Sequence, residues 1–401
     1  MPLVTELDVP AFDYYDPTLH GERFHEVMTE AAEGGWLASM PLGFVALDRE
    51  SCEFFLRSRS FTFPGMKVAE VFGVTDGPLY EEIANNILHI NGADHSRLRS
   101  LVNPSLTPRA VERYRPAMRG FLEQLFDALA GERSIEFVNA FAKPYPSLTI
   151  ATVMGAPLTD AARLHHWSEV IQRQFASNLN EERDEIERAV LEFYEYTAEL
   201  MAARREDPGD DLISSLLAAE EGGDRLSHSE CQNLVLNILI GGVDTTQSQL
   251  SHGIRLFAAH PEQWALLAAE PERAPAAVEE ILRLEPITPF TARLAMEDVV
   301  YRDVTFPEGT VVLVSAFNGN RDPDTYEEPD RFDITRDPRA GKPLTFGAGI
   351  HYCLGANLAR AELQEALTFL PQRMPELALD GDPVFGSIHG IYGLDRLPIS
   401  F

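Results

Sequence analysis

Apolar positions recur at three- and four-residue intervals over most of the chain. Ile186, Val190, Phe193, Thr197 and Leu200 follow that spacing with Glu and Arg between them, which predicts an amphipathic helix. Ser227-His228-Ser229-Glu230 has the form of a capping box, and the apolar run behind it predicts one long helix to about His260, where Pro261 opens the next. A further helix is expected over residues 271–284. Period-two alternation is scarce. Residues 36–47 read as a short hairpin around Pro41-Leu42-Gly43, and residues 304–316 alternate around Pro307-Glu308-Gly309. No internal repeat, low-complexity tract or linker interrupts these segments. The expected architecture is mainly α with small β-sheet regions, residues 1–401 forming a single domain.

At 401 residues and 45% hydrophobic, the chain has ample material for one large core around an embedded cofactor. Its formal charge of −30 argues against nucleic acid and against an anionic membrane surface, either of which calls for basic stripes. Lys67, Lys143 and Lys342 are the only lysines, a bias that genome composition explains more simply than function does. Cys52, Cys231 and Cys353 are too widely spaced for a disulfide framework, and a thiolate ligand needs a reducing compartment. Residues 1–16 carry acids and prolines rather than a targeting signal. The longest apolar run, near residues 234–243, is broken by Asn237 and two glycines, short of a membrane span. A cytoplasmic protein with no nucleic-acid or membrane partner is expected.

Against this background one stretch is unusual: Phe346-Gly347-Ala348-Gly349-Ile350-His351-Tyr352-Cys353-Leu354-Gly355. A thiolate that ligates a metal needs its charge stabilised, and backbone N–H groups at a helix N-terminus supply that. The glycines let the backbone approach, and Ala356-Asn357-Leu358-Ala359-Arg360-Ala361-Glu362-Leu363 has good helix propensity, which sets the sulfur at the positive end of a helix dipole. A buried, inert thiol is the ordinary state of a lone cysteine, but core packing does not ask for Phe346, Gly347, Gly349, His351 and Gly355 at these offsets. A zinc site lacks ligands, since Cys52 and Cys231 are isolated and no Cys-x-x-Cys or close His pair accompanies Cys353.

A second anomaly lies inside the predicted long helix, Gly241-Gly242-Val243-Asp244-Thr245-Thr246. Adjacent glycines in mid-helix cost about 2 kcal/mol against alanines, so they mark either a packing notch or a place where something approaches the backbone. Asp244 is equally out of place in an apolar helix. Glu280 and Arg283 lie one helical turn apart, the geometry of an ordinary surface pair. His95 and Arg99 sit four apart in Asp94-His95-Ser96-Arg97-Leu98-Arg99 and share a helix face, while Arg293 follows Pro289-Phe290-Thr291-Ala292 in an extended segment.

From about Phe61 to the carboxyl end these motifs, in this order, resemble the cytochrome P-450 family, and the cysteine loop resembles its haem-binding loop. The resemblance implies the cytochrome P-450 fold, with haem b between a long distal helix and a proximal cysteine-loop helix, and Cys353 as the thiolate ligand of the iron. It implies that Phe346, Gly347, His351 and Gly355 shape the cofactor loop and that Gly241 and Gly242 make room on the distal face. Asp244 would relay protons, the Thr245 hydroxyl would stand beside the dioxygen site, and Thr246 would bond back to a helix carbonyl. His95, Arg99, Arg293 and His351 are the implied donors to the haem propionates. Arg331, in Pro329-Asp330-Arg331-Phe332-Asp333, is the implied third member of a buried triad with Glu280 and Arg283 that braces the cysteine loop. Asn91-Gly92-Ala93-Asp94 departs from the acid-Pro-Pro entry common in the family, a difference of loop geometry ahead of His95.

The implied activity is that of a haem-thiolate monooxygenase, which inserts one oxygen atom of O2 into an apolar small-molecule substrate and reduces the other to water. No flavin, nicotinamide or iron–sulfur motif is present in the sequence, so electrons are expected from an external ferredoxin and ferredoxin reductase. A basic patch drawn from Arg97, Arg109, Arg113, Lys342 and Arg360 is expected to receive that ferredoxin. The alternatives are a peroxide-driven or otherwise atypical P-450 enzyme and a non-catalytic haem-binding sensor. Retention of both Asp244 and Thr245 argues against each. By the same resemblance the substrate pocket draws on residues 61–90, Phe63 included, and on Val243, Pro289, Phe290 and Ile391. Lys67 is the only lysine or arginine in 61–90, so a fatty-acid carboxylate has no well-placed partner there, and terpenoid, steroid or aromatic substrates are favoured.

Overall fold

The computed structural model describes residues 1–175, 179–221 and 226–401. Their contacts form two compact units, one of Met1–Pro64, Glu279–Cys353 and Phe385–Tyr392, the other of Gly65–Val278, Leu354–Val384 and Gly393–Phe401.

In the first unit β1 (Leu37–Met40) and β2 (Gly43–Ala46) form the expected hairpin, with Leu37 opposite Ala46 and Met40 opposite Gly43. Gly43 is required on two counts: its φ is +153°, and a Cβ there would lie 2.1 Å from the Val311 carbonyl oxygen. With β3 (Phe61–Thr62), β4 (Phe290–Ala295) and β5 (Val311–Ser315) they make a sheet of order β1-β2-β5-β4-β3, in which only β2 and β5 run parallel. Residues 304–316 do not fold as one hairpin. Val304–Phe306 turns back onto Val299–Tyr301 through Arg302 and Asp303, both left-handed at φ 49° and 62°. Val311–Ser315 is apolar almost throughout and is buried on both faces in the sheet interior, a position that a two-stranded ribbon cannot give it. Phe12, Phe24, Phe290, Phe317 and Tyr392 pack in one core cluster of this unit, and Phe55, Phe61, Phe306 and Val312 in another.

The second unit is helical. Its elements include α1 (Gly92–Val102), α2 (Pro144–Met154), α3 (Ala161–Gln172), α4 (Leu179–Glu206), α5 (His228–Gly242), α6 (Asp244–Ala259) and α7 (Ala356–Arg373), beside a small sheet of Ser134–Glu136, Pro398–Ser400 and Ala378–Leu379. α4 buries Ile186, Val190, Phe193 and Thr197 on the face their spacing predicts. α5 opens on the expected capping box: Glu230 N donates to Ser227 Oγ at 3.2 Å, and Ser227 N to Glu230 Oε2 at 2.8 Å. The predicted long helix is interrupted, however, at Val243 (φ −91°, ψ −72°), directly behind the two glycines. α2 and α3 pack against both segments, and α7 against α6. Among the described residues no helix is long and apolar enough to cross a membrane.

Candidate active site

Cys353 ends a loop made of two short turns, Leu344–Phe346 and Gly349–His351. Gly347 (φ +69°) and Gly349 (φ +73°) are left-handed, and a Cβ on Gly349 would sit 2.7 Å from the Leu56 carbonyl oxygen, so the loop needs glycine there for conformation and for space. The loop closes on itself where Cys353 N donates to the Phe346 carbonyl at 2.9 Å. Three residues later the chain enters α7. Cys353 is only half-buried, in contrast to Cys52 and Cys231. The Cys52 thiol is sealed against the Ala46 and Ser315 carbonyls at 3.4 Å each, and burial drives its pKa upward; that of Cys231 is pushed up to about 12, also by burial. Of the three cysteines, only Cys353 is not buried.

Glu280 and Arg283 are not a surface pair. Both are nearly inaccessible (3% and 2% exposed) and joined by two parallel bonds, Nε to Oε2 and Nη2 to Oε1, each 2.8 Å. The expected third member is corrected. Arg331 turns its guanidinium outward to Glu328 and Asp333 and contributes only its carbonyl, which accepts from Arg283 Nη2. Arg336 takes the place instead, its Nε 3.2 Å from Glu280 Oε1, while the amide of Asp333 donates to the same oxygen at 2.9 Å. Arg331 lies in the turn that wraps the pair and points away from it; five residues later the chain has come back round, and Arg336 anchors on the carbonyls of Glu327, Glu328 and Arg331. The link to the cysteine loop is Asn320. Its carbonyl accepts from Arg283 Nη1 at 3.2 Å, its Oδ1 accepts from Leu344 N at 2.6 Å, and its Nδ2 reaches Thr345 Oγ1 at 3.1 Å. Sequence reasoning missed both Arg336 and Asn320, and neither carries a distinguishing signal in the sequence.

Arg293 lies on β4, 4% exposed, its Nη1 bonded at 2.9 Å to the carbonyl of Ala292. Among the described residues it has no carboxylate partner, and burial pulls its pKa down to about 10. In the second unit His95 is buried on α1 with Arg99 one turn on; burial first, and Arg99 second, lower the pKa of His95. His351 and Arg99 are half-buried. A buried guanidinium without an anion suits a group that brings its own carboxylates. In the same unit as Arg293 and Cys353, Gly347 leaves the backbone of the cysteine loop approachable, because a Cβ added there would meet nothing within 4 Å. The residues present therefore fit haem b.

The two glycines at the helix break differ. Gly242 is a packing notch, where a Cβ would fall 2.3 Å from Ile150 Cδ1 of α2. Gly241 faces open space and is exposed, next to a buried Ile240 and a half-buried Gly242. Thr245 Oγ1 donates to the Gly241 carbonyl at 2.6 Å, so the backward bond expected of Thr246 is made by Thr245. Helical periodicity explains the exchange: Thr245 lies four residues from Gly241 on the open face, and the next residue turns inward. Thr246 and Thr149 face the carboxyl of Glu362 on α7 without closing a hydrogen bond of good geometry. Glu362 is fully buried and its pKa is raised well above the usual range by that burial. Asp244 is buried too, and its Oδ2 accepts from Ser168 Oγ of α3 at 2.5 Å. Desolvation lifts the Asp244 pKa to about 6; the Ser168 bond and Lys143 pull it down and Glu169 pushes it up. Neither Ser168 nor Glu362 was distinguishable in the sequence.

The pocket expectations divide. Phe63 and Ile391 are half-buried, and Val243 and Pro289 are buried. Phe290 is corrected: its ring packs against Phe12, Tyr14 and Phe24 with centroids 5.6–6.0 Å apart, inside a core cluster. Side chains alternate along β4, so Phe290 and Arg293 emerge on opposite faces, and the ring is committed to the core.

Residues 74–374 match the family model described as Cytochrome P450. The chain is 33% identical to luteothin monooxygenase of Streptomyces thioluteus over 98% of its own length and 96% of that protein's. Among solved structures, CalO2 shares the fold with a TM-score of 0.92 at 29% identity, covering 98% of this chain and 99% of that one. P450BioI, solved in complex with hexadec-9Z-enoic acid ligated acyl carrier protein, has a TM-score of 0.87 at 31% identity, covering 95% and 99%. Identity at that level over nearly the full length of both chains, together with a shared fold, places the chain in the cytochrome P450 family: it is a monooxygenase whose cofactor is haem b.

Proposed function

We propose that the chain holds its haem iron through Cys353 and, with electrons from a ferredoxin and ferredoxin reductase, oxygenates a small, largely apolar organic molecule in the cytoplasm, residues 1–401 acting as a single haem domain. The observation that carries this reading is the cysteine loop, half-open at Cys353 while the other two thiols are sealed in the interior. The family match runs through both compact units, which supports one functional domain. Haem, when bound, supplies the oxidising chemistry. The chain supplies position and protons. Asp244, with its pKa near 6, can give up and recover a proton at Oδ2 close to neutral pH, and Ser168 Oγ holds that oxygen in place. The bond to the Gly241 carbonyl keeps the Thr245 hydroxyl at the open face of the helix. Arg293, His95, Arg99 and His351 are the proposed partners of the haem carboxylates. Lys67 is exposed and pairs with Glu70 at 3.5 Å, which supports a substrate without a carboxylate. Presence of both a buried, titrating Asp244 and a Thr245 hydroxyl on the open helix face favours the O2 route over a peroxide-driven enzyme or a sensor.

The test is spectroscopic first. The reduced carbon-monoxide complex is expected to show the red-shifted Soret band of a thiolate haem, and Cys353→Ala to lose it. Retention of the band in that variant overturns the ligand assignment. Reduction by a ferredoxin system should then consume oxygen only when substrate is present, which a sensor would not do.

A further inference from the structure

Each proton that Asp244 gives up has to be replaced from solvent, yet its carboxyl is buried. The hydrogen-bond partner of that carboxyl is Ser168 of α3, itself inaccessible, whose Oγ donates to Oδ2 at 2.5 Å. A hydroxyl that donates to a carboxylate keeps lone pairs for a donor behind it, so Ser168 can pass its own proton to Oδ2 and accept another in the same motion. Glu169 and Lys143 are the charged groups whose fields act on Asp244. The same two, with His166, act on His165. Asp244, Ser168, His165, Glu169 and Lys143 therefore belong to one polar cluster, built where α3 and the start of α2 meet α6.

His165 is the uncommitted member. Its side chain is 15% exposed, and neither ring nitrogen makes a hydrogen bond among the described residues. Nε2 lies 3.8 Å from Glu169 Oε2, and Glu169 is exposed, so the pair reaches solvent. His165 and Ser168 are three residues apart and share a face of α3. At that spacing Cβ atoms stand roughly 5–6 Å apart, a gap that one water spans. Burial also brings the two proton affinities together: it pushes His165 below its usual value and Asp244 up to about 6, so a proton moves between them at little cost. Glu169 opposes the shift at His165, whereas Lys143 and His166 add to it. The opposite side of the motif offers no such entry. Glu362 is fully buried against Thr149 and Thr246, and Glu365, one turn on, is closed by Arg115 and Arg119.

We propose that His165 and Ser168 form the proton inlet of the relay: a proton taken up at the Glu169–His165 pair passes through the Ser168 hydroxyl to Oδ2 of Asp244 and from there towards Thr245. This rests on the monooxygenase reading and specifies how its site is supplied. The transfer balances without a further reagent. Ser168 gives its hydroxyl proton to the Asp244 carboxylate and regains one from the His165 imidazolium, which returns to the neutral ring. The net change is one proton moved from solvent to Asp244, and both side chains act through that acid.

The first test is an infrared pH titration of the haem-loaded protein, in which the carbonyl stretch lost in Asp244→Asn identifies the Asp244 carboxyl. Its midpoint is expected near pH 6 in the parent, higher in Ser168→Ala, because the hydroxyl favours the carboxylate, and close to the parent's in Ser168→Thr. The second test compares two ways of driving sulfoxidation of thioanisole: O2 with a ferredoxin and its reductase, which consumes protons, and iodosylbenzene, which brings an oxygen atom already reduced and consumes none. His165→Phe and Ser168→Ala are expected to lower the ratio of the first rate to the second about tenfold, more at pH 8 than at pH 6, and to enlarge the slowing in D2O, while Ser168→Thr restores the ratio. Oxygen uptake is read in the same way where no sulfoxide forms, since reducing O2 consumes protons whatever its product. Equal loss on both routes would make the two side chains merely structural, and an unchanged ratio in His165→Phe would place the inlet elsewhere; either result overturns the inference. A parent without the thiolate carbon-monoxide band overturns the monooxygenase reading instead, and the infrared midpoints still decide whether Ser168 controls the Asp244 proton.

Discussion

Asp244 stores a cost that can be measured. Its pKa rises from 3.8 in the unfolded chain to about 6 in the fold, so between those values the native state binds the extra proton and stability falls as pH rises. Below about pH 4 the group is neutral in both states and imposes nothing; above about pH 6 the buried carboxylate costs on the order of 3 kcal/mol. Asp244→Asn keeps the shape and an acceptor for Ser168 Oγ, and is expected to melt higher than the parent at pH 8, with the gap closing towards pH 4. Equal melting temperatures at pH 8 would show that the carboxylate is adequately solvated. The same variant should turn over slowly, because the titrating proton carrier is gone. Thr245→Ala is expected to behave otherwise, keeping haem, substrate affinity and oxygen consumption while product per electron falls and hydrogen peroxide rises. Undiminished coupling in that variant would remove Thr245 from the proton route. Asp244 and Thr245 could be singled out in the sequence because an acid and a hydroxyl behind two glycines violate the pattern of an apolar helix. Ser168 and Glu362 could not: a serine in an amphipathic helix and a glutamate in a good helix former are ordinary, and only tertiary packing turns them inward.

Where whole elements meet, the legible part was again the part with a local signature. The capping box and the Pro41-Leu42-Gly43 hairpin are encoded within a few residues, and both formed as expected. The fate of residues 304–316 depended on which partner strand was available, and the break at Val243 on what α2 and α3 press against the helix; neither is a short-range property. The brace of the cysteine loop follows the same rule. Glu280 and Arg283 were recognisable from their one-turn spacing, whereas the choice of Arg336 over Arg331 depends on how the turn at 327–336 folds over them. This choice is testable. Removing one member of a buried, hydrogen-bonded pair costs about 3–5 kcal/mol, so Glu280→Ala should yield protein that fails to retain haem. Arg336→Ala should weaken haem retention measurably, and Arg331→Ala, which removes only an outward-facing guanidinium and leaves its carbonyl in place, should retain haem and melt like the parent. Haem content after gel filtration and the carbon-monoxide band report both; the opposite ranking of the two arginines would restore Arg331 as the brace.

Across the molecule, acidic residues outnumber basic ones by enough to give −30, a field that slows the approach of an acidic electron donor unless some positive charge remains unneutralised. The structure sorts the arginines and lysine expected to serve that purpose. Arg97 is already tied to Glu230, with Asp94 beside it, and Arg113 is tied to Asp210 and the Tyr114 hydroxyl, so both present little net charge. Arg109 and Lys342 are exposed, and among the described residues neither forms an ion pair. If an acidic ferredoxin is the donor, Arg109→Glu or Lys342→Glu should slow its reduction of the haem at low ionic strength and flatten the dependence of that rate on salt, because screening acts on the charges that steer the encounter. Arg113→Ala should change the rate little, since removing a neutralised charge alters the field only slightly. Substrate affinity should be the same in all three variants. Stopped-flow reduction at two ionic strengths measures this directly, and a rate that is insensitive to Arg109 and Lys342 but falls steeply on loss of Arg113 would mean that the donor breaks the Asp210 pair and docks on the charge it releases.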